Sequence, residues 1–305
     1  MATMEGRKYM PWYTYLGAIL EIFLVVSRIL NIESVLKWGT PIFWTGYILI
    51  LDGIVFSFKG KSLLPKVIFL ALISLVLWWF FEWLNIFISN WHYSNLPPSL
   101  LERYIGYLWA FATIVPGILL TYNVLLIILR DTRIEWHSLK FKNKHLTLMI
   151  LIGIVSLILP VVPFSLNYLD RSADSELFFW LRWFGDIKFS EYMATFVFLS
   201  LFFIFDPINY LMSKPSVIGS LDRGNYKVIV LLSLAGLICG VLWESENFFF
   251  STSKWHYTVP IMGNVKIFEM PVLGYLGFIP FAWEVFSTVS LVYKDAIIQI
   301  QEWLL

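Results

Sequence analysis

Residues 67–88 read Val-Ile-Phe-Leu-Ala-Leu-Ile-Ser-Leu-Val-Leu-Trp-Trp-Phe-Phe-Glu-Trp-Leu-Asn-Ile-Phe-Ile, an apolar stretch whose one charged residue is Glu82. A helix needs about 20 mostly apolar residues to cross the hydrocarbon of a bilayer, so this stretch is typical of a transmembrane helix. Similar stretches recur along the chain. Together they predict an all-α, polytopic membrane bundle with eight spans at about 13–32, 41–58, 67–88, 105–129, 146–164, 192–212, 228–248 and 273–293.

The composition agrees with a membrane protein. Of the 305 residues, 59% are hydrophobic and 14% are charged, whereas charged residues make up about 25% of an ordinary soluble domain. A formal net charge of +1 offers no basic surface for nucleic acid. The single cysteine, Cys239, excludes an intramolecular disulfide. We therefore expect no nucleic-acid partner and no soluble enzyme.

The distribution of Lys and Arg predicts the orientation. If the N-terminus is cytoplasmic, the inner segments hold 14 of the 22 Lys and Arg residues, the outer segments hold 7, and Arg28 lies within the first span. Cytoplasmic loops carry an excess of these residues. The first apolar stretch lacks a small-residue cleavage site, so no signal peptide is expected. We predict both termini on the cytoplasmic side of the plasma membrane.

Two outer segments share a signature that indicates an internal repeat. The first runs from Glu82 to Trp91-His92-Tyr93, and the second runs from Glu246 to Trp255-His256-Tyr257; both the glutamate and the triplet recur after 164 residues. Because four spans is an even number, both copies insert in the same direction. A pseudo-two-fold axis along the membrane normal is the expected result.

The repeat divides the chain into two halves and a connection. We predict a first four-helix half at 1–129, a basic cytoplasmic linker at 130–145 and a second four-helix half at 146–305. In the longest outer connection, the segment 177–184 has the pattern of an amphipathic helix that lies flat in the membrane interface.

Carboxylates inside membrane spans are expensive, and each is a functional candidate. The repeat pairs Glu82 with Glu246 and leaves Glu244 on another face of its helix. Two acids that flank one cleft would repel each other when charged, so one of them is expected to hold a proton as a general acid does. Glu284 has no counterpart in the first half. The predicted catalytic residues are Glu82, Glu246, Glu269 and Glu284.

The two Trp-His-Tyr triplets are the candidate substrate-binding residues: Trp91, His92, Tyr93, Trp255, His256 and Tyr257. Trp and Tyr are common at membrane interfaces, which is the alternative interpretation. Histidine is not a usual interface residue. The spacing of histidines and carboxylates matches no known ligand motif, so we predict no metal and no cofactor.

Other intramembrane charges allow structural interpretations. Asp52 precedes Gly53 and Asp206 precedes Pro207, so each aspartate either caps a broken helix or lies on an ion path. Glu21 and Arg28 are seven residues apart on one helix face, so they either form an ion pair with each other or pair with neighbouring helices. Alternatively, Arg28 keeps a nearby carboxylate ionised.

One stretch of the second half resembles a known family. Trp243-Glu244, Lys254-Trp255-His256-Tyr257 and the segment 268–274 are similar to the lycopene cyclase domain of heterodimeric and fused carotenoid cyclases. That resemblance implies a small membrane domain, present in tandem, that cyclises an isoprenoid by protonation. The paired glutamates of the family are Leu273 and Gly274 here, so only Glu269 is carried over.

Three functions remain open at this stage. The first is an intramembrane acid–base enzyme acting on an isoprenoid or another lipid, as a cyclase, isomerase or hydratase. The second is a proton- or cation-coupled transporter, which acids staged from the outer to the inner side would favour. The third is a non-catalytic scaffold. The sequence contains no P-loop, no Gly-x-Ser-x-Gly and no His-Glu-x-x-His, so nucleotide binding, serine hydrolysis and zinc hydrolysis are not expected.

Overall fold

The computed structural model describes residues 9–161, 192–259 and 262–302, which are mostly helical. The α-helices are α1 (Trp12–Ile29), α2 (Glu33–Leu36), α3 (Gly39–Lys59), α4 (Val67–Ile88), α5 (Leu100–Ala112), α6 (Ile114–Ile128), α7 (Asn143–Ile158), α8 (Ala194–Leu211), α9 (Val217–Asp222), α10 (Lys227–Phe249), α11 (Phe278–Val292) and α12 (Lys294–Gln301). The strands are β1 (Trp91–Ser94), β2 (Lys254–Tyr257), β3 (Lys266–Ile267) and β4 (Met270–Pro271). Short 3-10 helices lie at Leu64–Lys66 and Val272–Gly277.

Among the described residues, seven helical segments are long and apolar enough to cross a membrane: α1, α3, α4 with the 3-10 helix before it, α5 with α6, α8, α10, and α11 with the 3-10 helix before it. Their outer surfaces are apolar, since Val76 is 74% exposed and Ile68 is 70% exposed. Their interior contains charged residues, of which Asp206 and Glu284 are fully buried. This distribution suits a lipid surround, and the chain is an integral, multi-pass membrane protein.

The described part of the fifth predicted span, 146–164, is shorter than a membrane crossing requires. It corresponds to α7, which has 16 residues and spans only about 24 Å at 1.5 Å per residue. This length is less than the hydrocarbon thickness of about 30 Å. Seven of the eight predicted spans therefore correspond to segments long enough to cross a membrane, and the fifth stays a prediction. The end of the predicted span and the segment 177–184 lie outside the described residues.

The predicted fourth span is one helical path with a break at Thr113, between α5 and α6. Pro116 has no amide hydrogen for the helix ladder. Ser74 of α4 joins the two parts, because its hydroxyl donates to the carbonyl oxygen of Phe111 and accepts from the Val115 amide at 3.0 Å. The hydroxyl thus stabilises a break that would otherwise leave backbone groups unsatisfied in the membrane.

The helices of the two halves pack in the same order. Helix α1 packs on α3 as α7 packs on α8, and α3 packs on α6 as α8 packs on α11. Helix α4 packs on α5 and α6 as α10 packs on α11. The halves meet where α10 contacts α3 and α6. This correspondence is what a duplicated four-helix unit predicts.

Close backbone contact holds these pairs together. A Cβ atom at Gly17 of α1 would lie 2.7 Å from the carbonyl oxygen of Gly46, and one at Gly153 of α7 would lie 2.7 Å from that of Ser200. Small residues allow such close approach between membrane helices. Glu21 lies over Gly46 and makes no ion pair with Arg28 among the described residues, so that predicted pair is wrong.

Gly236 of α10 provides a test of this packing. A Cβ atom there would lie 2.2 Å from the carbonyl oxygen of Phe278, whereas one at Gly277 would meet no atom within 4 Å. Alanine favours a helix by about 1 kcal/mol, but overpacking against backbone costs about 1–3 kcal/mol. We expect Gly236→Ala to lower the apparent melting temperature in detergent and Gly277→Ala to leave it unchanged. Equal melting temperatures would contradict the packing.

Strands β1 and β2 pair antiparallel and join the two halves at one end of the bundle, here called the ribbon end. Trp91 is opposite Tyr257, His92 is opposite His256 and Tyr93 is opposite Trp255. Because β1 follows α4 and β2 follows α10, these two helices run towards the same end. This is the direction that the parallel repeat predicts.

At the opposite end of the bundle, here called the linker end, two loops are each covered by a segment from another part of the chain. The segment 130–140, which follows α6, contacts the loop before α10: Trp136 donates its amide to Gly224 at 3.0 Å, and Leu139 donates to Leu221 at 3.0 Å. The segment after α11 contacts the loop before α4 in the same manner, since Lys61 pairs with Glu302 at 2.6 Å. The predicted linker therefore covers the linker-end loop of the second half, and the end of the second half covers that of the first.

Candidate functional site

The inner face of the ribbon holds a carboxyl group from the first half. Glu82 lies near the end of α4, and its Oε1 accepts from the indole nitrogens of Trp78 at 2.9 Å and Trp91 at 3.1 Å. The same oxygen accepts from the Tyr93 hydroxyl at 2.5 Å. Since side chains alternate across a strand, Trp91 and Tyr93 share this inner face, while His92 points to the other side and is exposed.

The second half holds an equivalent carboxyl group at Glu244. Its Oε1 accepts from the indole nitrogen of Trp255 at 3.2 Å and from the Tyr257 hydroxyl at 2.8 Å. Its Oε2 is buried and makes no hydrogen bond with a described residue. Each half therefore presents a glutamate that is oriented by one indole and one phenol from its own strand.

The predicted partner of Glu82 is corrected by these bonds: it is Glu244, not Glu246. Asn85 donates to the Trp91 carbonyl, six residues away, and Asn247 donates to the Trp255 carbonyl, eight residues away. The connection from helix to strand is thus two residues longer in the second half. The shared pattern Glu-x-x-Asn, at 82–85 and 244–247, is the signal that identifies the correct alignment.

The two tyrosines act as donors in this arrangement. Burial raises the pKa of Tyr93, and the carboxylate of Glu82 raises it further. Burial and Glu244 raise the pKa of Tyr257 in the same way. Both phenols therefore keep their protons at neutral pH and continue to orient the carboxyl groups.

An aromatic cluster connects the two carboxyl groups. The ring of Trp78, which is bonded to Glu82, lies 5.8 Å from that of Phe281. Phe281 lies 5.6 Å from Phe81, 6.0 Å from Phe198 and 6.4 Å from Trp243. Trp243 directly precedes Glu244 in α10. A chain of packed aromatic rings thus runs from Trp78, which is hydrogen-bonded to Glu82, to Trp243, the neighbour of Glu244.

Two other predicted catalytic residues lie apart from the ribbon. Glu246 is fully buried at the start of α3, where a Cβ atom at Gly39 would lie 3.1 Å from its Oε1. Glu284 of α11 accepts the Leu201 amide on Oε1 at 2.9 Å. Neither oxygen of Glu246, nor Oε2 of Glu284, makes a hydrogen bond of normal geometry with a described residue.

Asp52 and Asp206 have a structural role as helix caps. Asp52 accepts the Leu63 amide at 2.7 Å, and Asp206 accepts the Val217 amide at 3.0 Å and the Ile218 amide at 2.8 Å. In both halves the aspartate thus satisfies free amides eleven residues further on, where the next helical turn begins. This agrees with capping, although the capped turn is the following one and not a break at the aspartate.

The outer face of the ribbon brings together the two predicted histidines. The rings of His92 and His256 lie 5.5 Å apart. His256 contacts Glu269 through Nδ1 at 3.1 Å and Ser94 through Nε2 at 2.8 Å. In the described part of the chain, no group of three His, Cys, Asp or Glu residues is arranged to hold a metal ion.

Comparisons with protein-family models, with curated proteins and with solved structures find no match to this chain. The similarity to the lycopene cyclase domain therefore stays a prediction. Two residues with prominent contacts were not candidates from the sequence, Trp78 and Ser94. Trp78 is four residues before Glu82 on one helix face, a spacing that could have identified it. Ser94 depends on strand pairing, for which no sequence signal exists.

Proposed function

We propose that the protein is an intramembrane acid–base enzyme that acts on an isoprenoid or another unsaturated lipid. The observation that carries this proposal is the paired arrangement of Glu82 and Glu244. In each, one carboxyl oxygen accepts N–H and O–H hydrogen bonds while the other oxygen accepts none from a described residue. A carboxyl group held in this way keeps one oxygen available for proton transfer.

The proposed step moves one proton. The carboxylic acid gives its proton to one carbon of a C=C bond, the electron pair of that bond forms the new C–H bond, and positive charge remains on the other carbon. A carboxylate then takes a proton from a neighbouring carbon and a double bond re-forms. If a second C=C bond attacks the cation before this loss, the product is a ring.

The surroundings suit such a cation. Trp78, Phe281 and Trp243 form a continuous series of ring contacts beside the two glutamates, and aromatic faces attract positive charge by about 2 kcal/mol or more where water is excluded. The same rings provide an apolar surface for a long hydrocarbon chain. These features favour a lipid substrate over a polar one.

The experiment that tests this proposal begins with the lipid. Protein purified in mild detergent should carry an isoprenoid that mass spectrometry of the extract identifies. Incubation of that lipid with the protein in D₂O should then place deuterium on carbon, because the acid exchanges its proton with solvent. A purified protein that carries bulk phospholipid alone and transfers no deuterium would contradict the proposal.

A proton- or cation-coupled transporter is the second candidate. It is favoured by the buried carboxyl oxygens of Glu246 and Glu284 that make no hydrogen bond of normal geometry with a described residue, because proton carriers within membranes are acids of this kind. On an ion path, Asp52 and Asp206 would be the inner acids. Their capping hydrogen bonds give them a structural role instead, which weakens this alternative. Proton uptake into vesicles that is lost in Glu284→Gln, with no chemical change in any lipid, would favour this alternative.

For the location, we infer the plasma membrane with both termini cytoplasmic. Lys61, Lys140 and Lys294 lie at the linker end, and His92 lies at the ribbon end. In whole cells, an impermeant maleimide should label His92→Cys and leave Lys61→Cys, Lys140→Cys and Lys294→Cys unlabelled. The native Cys239 is buried and does not interfere. Labelling of Lys140→Cys from outside would reverse the topology.

A further inference from the structure

The outer face of the ribbon contains a chain of three polar side chains. The Oγ of Ser94 lies 2.8 Å from Nε2 of His256, and Nδ1 of His256 lies 3.1 Å from Oε2 of Glu269. With a proton on Nδ1, the imidazole donates to Glu269 and accepts the Ser94 hydroxyl hydrogen. A nucleophile within reach of a base, which is in turn oriented by a carboxylate, is the geometry of covalent acyl transfer.

The fold places each member of this chain on a different segment. Ser94 is on β1 of the first half and His256 is on β2 of the second, so strand pairing brings them together. Glu269 lies in the turn between β3 and β4, directly after Phe268. Phe268 has a φ of +56°, which is an unfavourable conformation for a bulky residue. Strain of this kind is concentrated at functional sites.

We propose that Ser94, His256 and Glu269 form a second catalytic site, with the activity of an esterase on acyl lipids at the membrane surface. Ser94 is the nucleophile, His256 is the general base and Glu269 is a positioning residue. This site uses the outer face of the ribbon, whereas Glu82 and Glu244 use the inner face. The proposal stands independently of the acid–base function.

The reaction balances with an ester and water alone. Ser94 Oγ forms a bond to the ester carbonyl carbon while its proton moves to His256 Nε2. The ester C–O bond then breaks, and the leaving alcohol takes that proton. Water adds to the acyl-serine in the same manner, which releases the carboxylic acid and returns the proton to Ser94.

Two features favour a lipid ester as the substrate. The ribbon directly follows the membrane helices α4 and α10, so an ester at the level of the lipid headgroups lies at the same height as Ser94. The Asn95 amide, next to the nucleophile, makes no hydrogen bond with any residue in the described ranges. Such a free amide is the kind of donor that stabilises the oxyanion of acyl transfer.

The pseudo-symmetry of the molecule allows the three residues of this site to be compared with their counterparts in the other half. The counterparts of the three residues in the other half are Thr258, His92 and Glu102, and they do not assemble. Thr258 donates its hydroxyl to the Ser89 carbonyl at 2.5 Å, and Glu102 pairs with Lys37 at 3.3 Å. The catalytic site is therefore expected to form once in the molecule, and not a second time from these counterparts.

The test is covalent labelling of the full-length protein in detergent micelles with a fluorophosphonate probe. We expect an adduct that mass spectrometry places on Ser94. Ser94→Ala should abolish labelling, and His256→Gln should slow it by about 100-fold or more, while a variant of the exposed His137, His137→Gln, should label as fast as the native protein. An unlabelled native protein, or an adduct on another residue, would overturn the proposal whether or not the variants fold.

The role of Glu269 needs a readout that separates positioning from structure. With a p-nitrophenyl acyl ester as the probe, we expect Glu269→Gln to lower kcat with little change in KM, because the carboxylate orients His256 and does not bind the ester. Glu269→Asp should restore part of kcat. Equal loss in both variants, accompanied by a lower melting temperature, would assign Glu269 a structural role and refute this part.

Discussion

Replacing Glu244 with Gln is expected to lower turnover of the isoprenoid substrate by about 10²–10⁴-fold, the usual contribution of a general acid or base. The Gln oxygen can still accept the Trp255 and Tyr257 hydrogen bonds, so the side chain keeps its position. The amide cannot give a proton to carbon. Glu82→Gln is expected to have an effect of the same order, because the other half holds it through equivalent donors.

The measurement is deuterium transfer to the co-purified lipid. Glu33→Gln serves as the matched control, because that carboxylate is exposed at the start of α2, and we expect full activity from it. Full deuterium transfer in the Glu82→Gln, Glu244→Gln double variant would dispose of the proposed function. The fluorophosphonate reaction at Ser94 should proceed in that double variant, so failures of the two proposals can be distinguished.

Replacing Asp206 with Ala is expected to produce the largest loss of stability. Its carboxylate accepts the Val217 and Ile218 amides and the Ser287 hydroxyl, at 2.8 to 3.0 Å, and it is fully buried. Each buried donor left without a partner costs about 1–3 kcal/mol, so the total is about 3 kcal/mol or more. Asp206→Asn keeps one acceptor oxygen and should lose less.

The comparison for Asp206 is Asp131, whose side chain is 91% exposed beside Arg130. Asp131→Ala should change the free energy of unfolding by no more than about 0.5 kcal/mol. Both variants are measured by reversible unfolding in mixed micelles. If Asp206→Ala were as stable as Asp131→Ala, water or lipid headgroups would have to satisfy the freed amides, and the capping role would be wrong.

Most of the bundle could be predicted from the sequence, because the length of an apolar stretch directly reflects bilayer thickness. The stretch 67–88 became α4 with the predicted bounds. The break at Thr113 could not be predicted, since it depends on Ser74 of another helix. Contacts between helices depend on packing, which hydropathy does not describe.

For the site, the two Trp-His-Tyr triplets could be identified from the sequence, but the predicted partner of Glu82 was the wrong glutamate of the second half. Glu246 lies 164 residues after Glu82, which is also the separation of the two triplets. The second half has two extra residues before β2, however, and they make Glu244 the equivalent of Glu82. The cleft that Glu82 and Glu246 were expected to flank stays a prediction, and the observed neighbour of Glu246 is the start of α3. The contact between Ser94 and His256 depends on the pairing of β1 with β2, which no local sequence motif describes.

The covering of the two loops at the linker end has a consequence for biogenesis. The ribosome completes the first half, including the loop 59–66, well before it makes the segment that covers this loop. Lys59 and Lys66 bind carbonyl oxygens of Ile300 and Asp295, both of which lie in α12. The first half therefore leaves the insertion machinery with this loop uncovered, and the loop is covered only after α12 has been made.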